Sequence, residues 1–242
     1  MTATSDSLGE PTQPPGQNRF LRSLSHKGLS LLQSHLEFVV LPPRQVLHKG
    51  GDSPEFVYFL NDGLVSLLIE SIGGKSAEIG VIGRDGIAGA PTAKTLPHNP
   101  VTEMMQIAGE GYRTSAATMG QIMKESVEIR ELVTQYETLL AMRVAQIAGC
   151  NALHAAEQRL ARWLLMVNDR VQTNPLPLTH EFLSILLGIT RPSVSETLNA
   201  LQQKGAINLR RENVQICSRK TLEQCSCECY GVIARLEFRP SA

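Results

Sequence analysis

The fold is decided by residues 178–207, which read LTHEFLSILLGITRPSVSETLNALQQKGAI. Apolar residues recur at helical spacing on both sides of Gly188, so the stretch predicts two helices joined by a tight corner. Thr179 and Thr190 stand where a helix N-cap is needed, and their hydroxyl groups can accept from the first free amides. Gly188 and Gly205 supply the left-handed residue at which each predicted helix ends.

The second predicted helix has two faces of different chemistry. Val194, Leu198 and Leu201 share one face and are expected to pack inward. The opposite face carries side chains that can reach base edges or phosphates, as a recognition helix does in the major groove. A solvated helix of an ordinary helical domain is the alternative interpretation. The candidate DNA-binding residues of the two helices are Thr179, Thr190, Arg191, Ser193, Ser195, Glu196 and Asn199.

Two short β-type runs follow the second helix. Residues 206–209 and 214–216 flank a polar turn that contains Arg210 and Arg211, which predicts a wing with two phosphate contacts. The distribution of charge agrees with phosphate contacts in the second part of the chain. Residues 1–153 carry 12 bases and 15 acids, whereas residues 154–242 carry 11 bases and 8 acids. The modest positive balance of the second part suits a partner that carries phosphates.

The N-terminal part changes pattern several times. Residues 1–18 have almost no large apolar side chains and predict a disordered tail, and residues 20–36 predict one or two short helices. From about residue 39 to 114, short β-branched or aromatic runs alternate with hairpin signals such as Asn61-Asp-Gly63 and Gly73-Gly74. This spacing predicts a small antiparallel barrel or roll, and we place that domain at residues 19–118.

A long helix is predicted next, over residues 119–153, because this segment has almost no helix breakers. Its apolar residues fall at three- and four-residue steps, and such a stripe requires a partner surface. We predict that the partner is a second copy of the chain, although a helix packed on its own domain is the alternative. The predicted dimer interface consists of Ile129, Leu132, Val133, Tyr136, Leu140, Val144 and Ile147. Residues 154–242 are then the winged helix-turn-helix domain.

Taken in order, these segments resemble the CRP/FNR family (cAMP receptor protein and fumarate-nitrate-reduction regulator). The resemblance covers about residues 19–222 and rests on residues 47–52, 56–63 and 83–89, the long helix, and Arg191 at the start of the recognition helix. It implies an α+β fold: a cyclic-nucleotide-binding-like β-roll, a long dimerisation helix and a C-terminal winged helix-turn-helix. It also implies a homodimeric transcription regulator on double-stranded DNA, with RNA polymerase as a candidate further partner.

The sequence departs from the family where a cyclic nucleotide would bind. Gly89 is followed by Ala90, and the stretch where the family has a phosphate-binding arginine offers only Lys94 and His98. The positions that meet the adenine in the family correspond to Val144-Ala145. We therefore predict no response to cAMP, and the effector is left unknown. No cofactor is predicted, because the N-terminus has no cysteine for an iron–sulfur cluster and the six histidines are scattered.

Two other functions were weighed against DNA binding. Cys225, Cys227 and Cys229 are candidate ligands for a thiol-based metal or redox sensor if that segment is extended, since alternate residues then face one side. An enzyme of the cupin type needs a His-x-His metal motif, which this sequence lacks, so no catalysis is predicted. The absence of a long apolar run and of a secretory signal predicts a cytoplasmic protein without a membrane partner.

Overall fold

The structure, a computed structural model, describes residues 16–89, 99–171, 173–211 and 213–238. Its helices are α1 (Arg19–Ser23), α2 (His26–Gln33), α3 (Ala116–Glu125), α4 (Val127–Leu153), α5 (Ala156–Asn168), α6 (His180–Leu187), α7 (Arg191–Gln203), α8 (Arg219–Cys225) and α9 (Cys229–Arg235). Its strands are β1 (Glu37–Leu41), β2 (Val46–His48), β3 (Phe56–Glu70), β4 (Ser76–Ile82), β5 (Val101–Ser115), β6 (Leu176–Pro177), β7 (Ile207–Arg210) and β8 (Asn213–Ile216).

The β-roll predicted from the sequence is confirmed as an antiparallel sheet. Its strand order is β1-β5-β3-β4, and β2 pairs with β5 beside this path. Strands β3 and β5 are each 15 residues long and form the centre of the roll. The long buried runs of β3, rather than strict alternation, show that this strand buries side chains on both faces of the sheet.

The prediction of a hairpin turn at Asn61-Asp-Gly63 is wrong, because these residues lie inside the continuous strand β3. The register with β5 shifts at this point, so the segment is a bulge that bends the strand. Gly63 has a φ of +91°, and a Cβ added to it would lie 2.8 Å from the Cα of Gly109. Glycine is therefore needed here for close approach of two strands, not for a reversal of the chain.

The helix predicted over residues 119–153 is interrupted. Ser126 has extended backbone angles, its amide donates to the carbonyl of Ile122 at the end of α3, and its hydroxyl accepts from the amide of Ile129 in α4. One serine therefore ends the first helix and caps the second. The predicted tail also ends earlier than expected, since the buried Asn18 caps α1 and donates to the carbonyls of Leu60 and Gly86. Residues 1–15 of the predicted tail lie outside the described residues.

The apolar stripe of α4 packs on its own chain rather than facing outward. Ile129, Val133, Tyr136 and Ile147 are buried within one chain, so they cannot form the predicted contact with a second copy in this conformation. Leu132, Leu140 and Val144 are partly buried against the same apolar clusters. The β-roll and the N-terminal helices therefore cover the stripe, and the predicted dimer interface does not lie on this face of α4.

The C-terminal part is the predicted winged helix-turn-helix. Helix α5 lies at its centre, with all eight residues from 160 to 167 buried. Helices α6 and α7 pack on α5, and β7 and β8 form an antiparallel hairpin that β6 extends. The core of this domain continues into the roll through Leu64, Val81 and Ile107, so the two domains share one apolar cluster.

A buried ion triad joins three segments of the chain. Oδ2 of Asp85 accepts from Arg143 at 2.7 Å and from Arg170 at 2.8 Å, and Oδ1 accepts from the amide of Gly83 at 3.1 Å. Burial alone would raise the pKa of Asp85, but the two guanidinium groups outweigh it and hold the pKa well below its usual range. The carboxylate therefore stays charged and connects the roll, α4 and the end of α5.

A second polar contact crosses between the roll and α5. The indole N–H of Trp163 donates to Glu78 at 2.6 Å, and the hydroxyl of Ser66 donates to the same carboxyl at 2.5 Å. Burial raises the pKa of Glu78 to about 7, although both hydrogen bonds oppose this shift. The only tryptophan of the chain thus serves domain packing. Within the described residues, no helix combines the length and the apolar character that crossing a bilayer requires.

We expect Asp85→Asn to lower the free energy of unfolding by roughly 3–5 kcal/mol, since it leaves Arg143 buried without its ion-pair partner and Arg170 with only the more distant Glu237, at 3.6 Å. Urea unfolding at fixed chain concentration, followed by circular dichroism, measures the change. Glu37→Gln is the matched control, because its ion pair with Arg113 is exposed and is expected to contribute little. Equal stability of Asp85→Asn and the wild type would contradict a structural role for the triad.

Candidate nucleic-acid interface

The two helices of the helix-turn-helix begin and end as the sequence predicts. The hydroxyl of Thr179 accepts from the amide of Phe182, and that of Thr190 accepts from the amide of Ser193. Gly188 ends α6 with a φ of +62°, in the left-handed region. These local signals fix the corner between α6 and α7 and hence the direction in which α7 points.

The outward face of α7 is free of the protein core. Arg191, Glu196 and Asn199 are exposed, whereas Val194, Leu198 and Leu201 are buried as predicted. The guanidinium of Arg191 forms an ion pair of 3.3 Å with Glu181, and both side chains are about two-thirds exposed, at 65% and 67%. Such an exposed pair contributes little to stability, so Arg191 can exchange Glu181 for a phosphate or a base at small cost.

The wing lies at the turn between β7 and β8. Arg210 ends β7 and Arg211 follows it, and both side chains are exposed to solvent. The side chain of Asn213 donates to the carbonyl of Arg211 at 2.9 Å, which shapes the turn. Gln202 of α7 accepts from the amide of Leu209, so the recognition helix and the wing are held to each other. The arrangement presents two cations beside an exposed polar helix face.

Four of the predicted DNA-binding residues already have a local role. The hydroxyl groups of Thr179 and Thr190 cap helices, and Ser193 bonds to Thr190 through its side chain. Ser195 is half-buried and donates to the carbonyl of Arg191. Glu181 was not predicted as the partner of Arg191, although its place in the first turn of α6 is visible in the sequence.

The interior of the roll contains an acid where an anionic ligand would need a donor. The amide of Gly89 donates to Oε2 of the buried Glu103 at 2.5 Å. Burial raises the pKa of Glu103 to about 7, and the bond from Gly89 opposes the shift. On α4, Val144 packs over Gly80 of the roll, and Ala145 is exposed. Ala90, Lys94 and His98, the other residues of the predicted effector region, lie outside the described residues.

The three C-terminal cysteines do not form one site. Cys225 ends α8 and lies near Lys204 and Glu157, whereas Cys227 and Cys229 are buried against the end of α4. The extended segment required for a three-cysteine site is absent, because Cys225 and Cys229 belong to successive helices with only three residues between them. Cys225, Cys227 and Cys229 therefore cannot bind one ion together in this conformation.

Comparison with known proteins places this architecture. Residues 158–225 match the family model described as the Crp-like helix-turn-helix domain. FixK2 from Bradyrhizobium japonicum is similar in structure, with a TM-score of 0.66 and 16% identity over 79% of this chain and 98% of that chain. The c-di-GMP-responsive global regulator CLP from Xanthomonas campestris aligns with a TM-score of 0.65 and 16% identity, over 80% of this chain and 100% of that chain.

A regulator of the CRP/FNR family from Eubacterium rectale aligns with a TM-score of 0.65 and 19% identity, over 84% of this chain and 95% of that chain. No curated protein sequence matches the chain. The exposed outward face of α7 and the basic wing, carried on a β-roll and a long helix, define a fold class in which a winged helix-turn-helix domain is joined to a β-roll. More narrowly, residues 158–225 are a Crp-like helix-turn-helix domain, and the chain has the CRP/FNR fold that the sequence resemblance predicts.

Proposed function

We propose that this protein is a sequence-specific DNA-binding transcription regulator that acts as a homodimer and does not respond to cAMP. The observation that carries the proposal is the outward face of α7, where Arg191, Glu196 and Asn199 stand beside the exposed Arg210 and Arg211 of the wing. RNA polymerase as a further partner, and a cytoplasmic location, stay predictions from the sequence.

Arg191 is the residue best placed for recognition. It occupies the first turn of α7, where a guanidinium can contact a guanine edge bidentately or a phosphate. Its partner Glu181 is on the neighbouring helix and would face the same DNA, so binding separates the pair. A guanine contact contributes about 1–3 kcal/mol of discrimination between bases, whereas a phosphate contact adds affinity without discrimination.

The face of α4 opposite the buried stripe supports the homodimer. It exposes small or apolar side chains at three- and four-residue steps: Thr134, Thr138, Ala141, Met142, Ala145 and Ala148. Small side chains allow two helices to approach closely, and Met142 is half exposed, at 51%. The proposed interface is thus on the same helix as the predicted one but rotated to its other side.

The interior of the roll supports independence from cAMP. The carboxyl of Glu103 accepts a hydrogen bond from the amide of Gly89. A phosphate next to this carboxyl would face an acid instead of a cation. The contact of Val144 with Gly80 also gives α4 an apolar side chain where the family has polar groups for the adenine. An acid at this point favours neutral or cationic groups over phosphate.

Changing Arg191 tests base recognition. Arg191→Ala should weaken binding to a site selected from random sequence by about 10–100-fold and weaken binding to random DNA much less, since a lost guanine contact costs about 1–3 kcal/mol. Mobility-shift titrations at two salt concentrations measure both affinities. Arg22→Ala, an exposed arginine of α1, is the control and should bind like the wild type. If the wild type selects no site, the regulator proposal is wrong.

The wing arginines should behave differently. Changing Arg210 and Arg211 to alanine together should weaken binding to the selected site and to random DNA by similar factors. The slope of log affinity against log salt concentration should also fall by the amount expected for about two lost phosphate contacts, since each contact releases counterions. A loss confined to the selected site would show that the wing reads bases instead.

A charge on the exposed face of α4 tests the dimer. Ala145→Glu should weaken dimerisation by about 100-fold or more, because a carboxylate buried without a partner costs several kcal/mol. Sedimentation velocity over a range of concentrations measures this. Ala117→Glu, at an exposed alanine of α3, is the control and should leave assembly unchanged. An intact dimer in Ala145→Glu would contradict this interface.

Calorimetric titration tests the effector prediction. We expect no binding of cAMP or cGMP at physiological concentrations, because the Gly89 amide faces Glu103 rather than a free anion site. The same preparation must bind its selected DNA site, so that a negative result reports the ligand site and not damaged protein. Micromolar affinity for either nucleotide would overturn this part of the proposal.

A further inference from the structure

Four potential metal ligands converge where α4 ends. They are Cys150, His154, Cys227 and Cys229, and their sulfur and nitrogen atoms all lie within 4.8 Å of one another. Cys150 and His154 belong to the last turn and C-cap of α4, while Cys227 precedes α9 and Cys229 begins it. Two segments far apart in sequence thus each supply two ligands.

The geometry fits one tetrahedral ion. With metal–sulfur bonds of about 2.3 Å and metal–nitrogen bonds of about 2.0 Å, ligand atoms lie roughly 3.5–3.8 Å apart. Two of the six separations match this range, at 3.5 Å between Sγ of Cys150 and Sγ of Cys227 and 3.7 Å between Sγ of Cys229 and Nδ1 of His154, and the other four are at most 4.8 Å. Such short separations suit a single ion rather than a cluster of several iron atoms.

The surroundings of the ligands resemble a second coordination layer. Nδ1 of His154 faces the cysteines, and its Nε2 lies 3.2 Å from the carboxylate of Glu228. An imidazole oriented by a carboxylate in this way is typical of metal-bound histidine. The side-chain amide of Gln146 donates to Sγ of Cys229 at 3.1 Å, which suits a thiolate acceptor.

Nearby cations match the charge of a metal–thiolate group. Three thiolates around a divalent ion leave one net negative charge, and the charges of Arg159 and Arg162 both act on Cys150. Arg162 is only 3% exposed, and no carboxylate of the described chain lies within 4.0 Å of its guanidinium. The charge of Arg162 also acts on the buried carboxyl of Glu78, and a metal–thiolate group at Cys150 would add a second anion beside this buried guanidinium.

We propose that Cys150, His154, Cys227 and Cys229 bind one zinc ion. Three sulfur ligands select a soft or borderline cation over calcium or magnesium, and a closed set of four protein ligands is typical of a structural zinc site. The three cysteines are buried and His154 is 15% exposed, so the site is largely shielded from solvent. The ion binds α9 to the end of α4, independently of whether the protein binds DNA.

Metal content of the full-length chain is the first test. Protein purified under reducing conditions without chelator should contain one zinc ion per chain, as measured by inductively coupled plasma mass spectrometry. After removal of the zinc, Co²⁺ should bind with the absorption of a tetrahedral, thiolate-rich site, and added Zn²⁺ should displace it. Neither measurement involves DNA, so a failure here is distinct from a failure of the proposed regulator function.

Serine variants then identify the ligands. Cys150→Ser and Cys227→Ser should lose the cobalt spectrum and bind zinc at least about 100-fold more weakly, beyond the range seen for a lost outer partner. Cys217→Ser and Cys225→Ser are matched controls, because these cysteines lie outside the cluster, and each should keep one zinc per chain.

Two further variants keep the test decisive if a serine variant does not fold. Glu228→Gln retains all four ligands and should lower zinc affinity about 10–100-fold. His154→Cys should still bind one Co²⁺, with stronger thiolate absorption. The proposal is overturned if reduced wild type binds no zinc, if Cys227→Ser binds as much as wild type, if iron and sulfide are found instead, or if Cys150 and Cys227 are isolated as a disulfide.

Discussion

The structure depends on one buried carboxylate, that of Asp85, held between Arg143 and Arg170. Each of these residues belongs to a different part of the molecule: the turn after β4, the middle of α4 and the end of α5. The two guanidinium groups are stable in the interior only while they share this anion. The roll, the long helix and the C-terminal domain therefore keep the contact together, or they separate and expose all three charged groups to solvent. Arg170 also lies 3.6 Å from Glu237, which pairs with Arg19, so both ends of the described chain join the same network.

The C-terminal segment reinforces that arrangement instead of ending at the wing. Helix α8, the last element of the Crp-like domain, packs on α5, and α9 packs on α4 and α5. Phe238 then enters the core of the roll beside Phe20 and Tyr136. The aromatic contacts and the salt bridges of Glu237 therefore fix the end of the chain to the beginning. As a result, the recognition helix is carried on a domain that is attached to the roll on several sides, through Glu78, Asp85 and this segment.

The sequence predicts correctly those features that depend on neighbouring residues. It does not predict which other part of the molecule covers an apolar surface. Caps and glycines at residues 179, 188 and 190 act within a few residues, so the helix-turn-helix was predicted closely. The stripe from Ile129 to Ile147 was correctly identified as apolar, but periodicity does not tell whether a second copy or the roll covers it. Asn61-Asp-Gly63 has the composition of a turn, yet the pairing partner across the strand, Gly109 to Gly111, makes it a bulge. Cys150 and His154 were not recognised as neighbours of Cys227 and Cys229, because they are distant from them in sequence, although their spacing of four residues places both on one helix face.

That spacing matters because of where α4 ends. α4 ends at Leu153 and α5 begins at Ala156, so only His154 and Ala155 separate the long helix from the central helix of the C-terminal domain. The direction of α5, and with it that of α7, is set at this junction. A zinc ion bound by Cys150 and His154 on one side and by Cys227 and Cys229 on the other would hold the last turn of α4 against α9, which also packs on α5. The junction would then be fixed from two sides, and the exposed face of α4 and the recognition helix would keep one relative orientation. A dimer that reads two half-sites of DNA needs that orientation to be constant in both copies, because the spacing of the half-sites is set by the DNA.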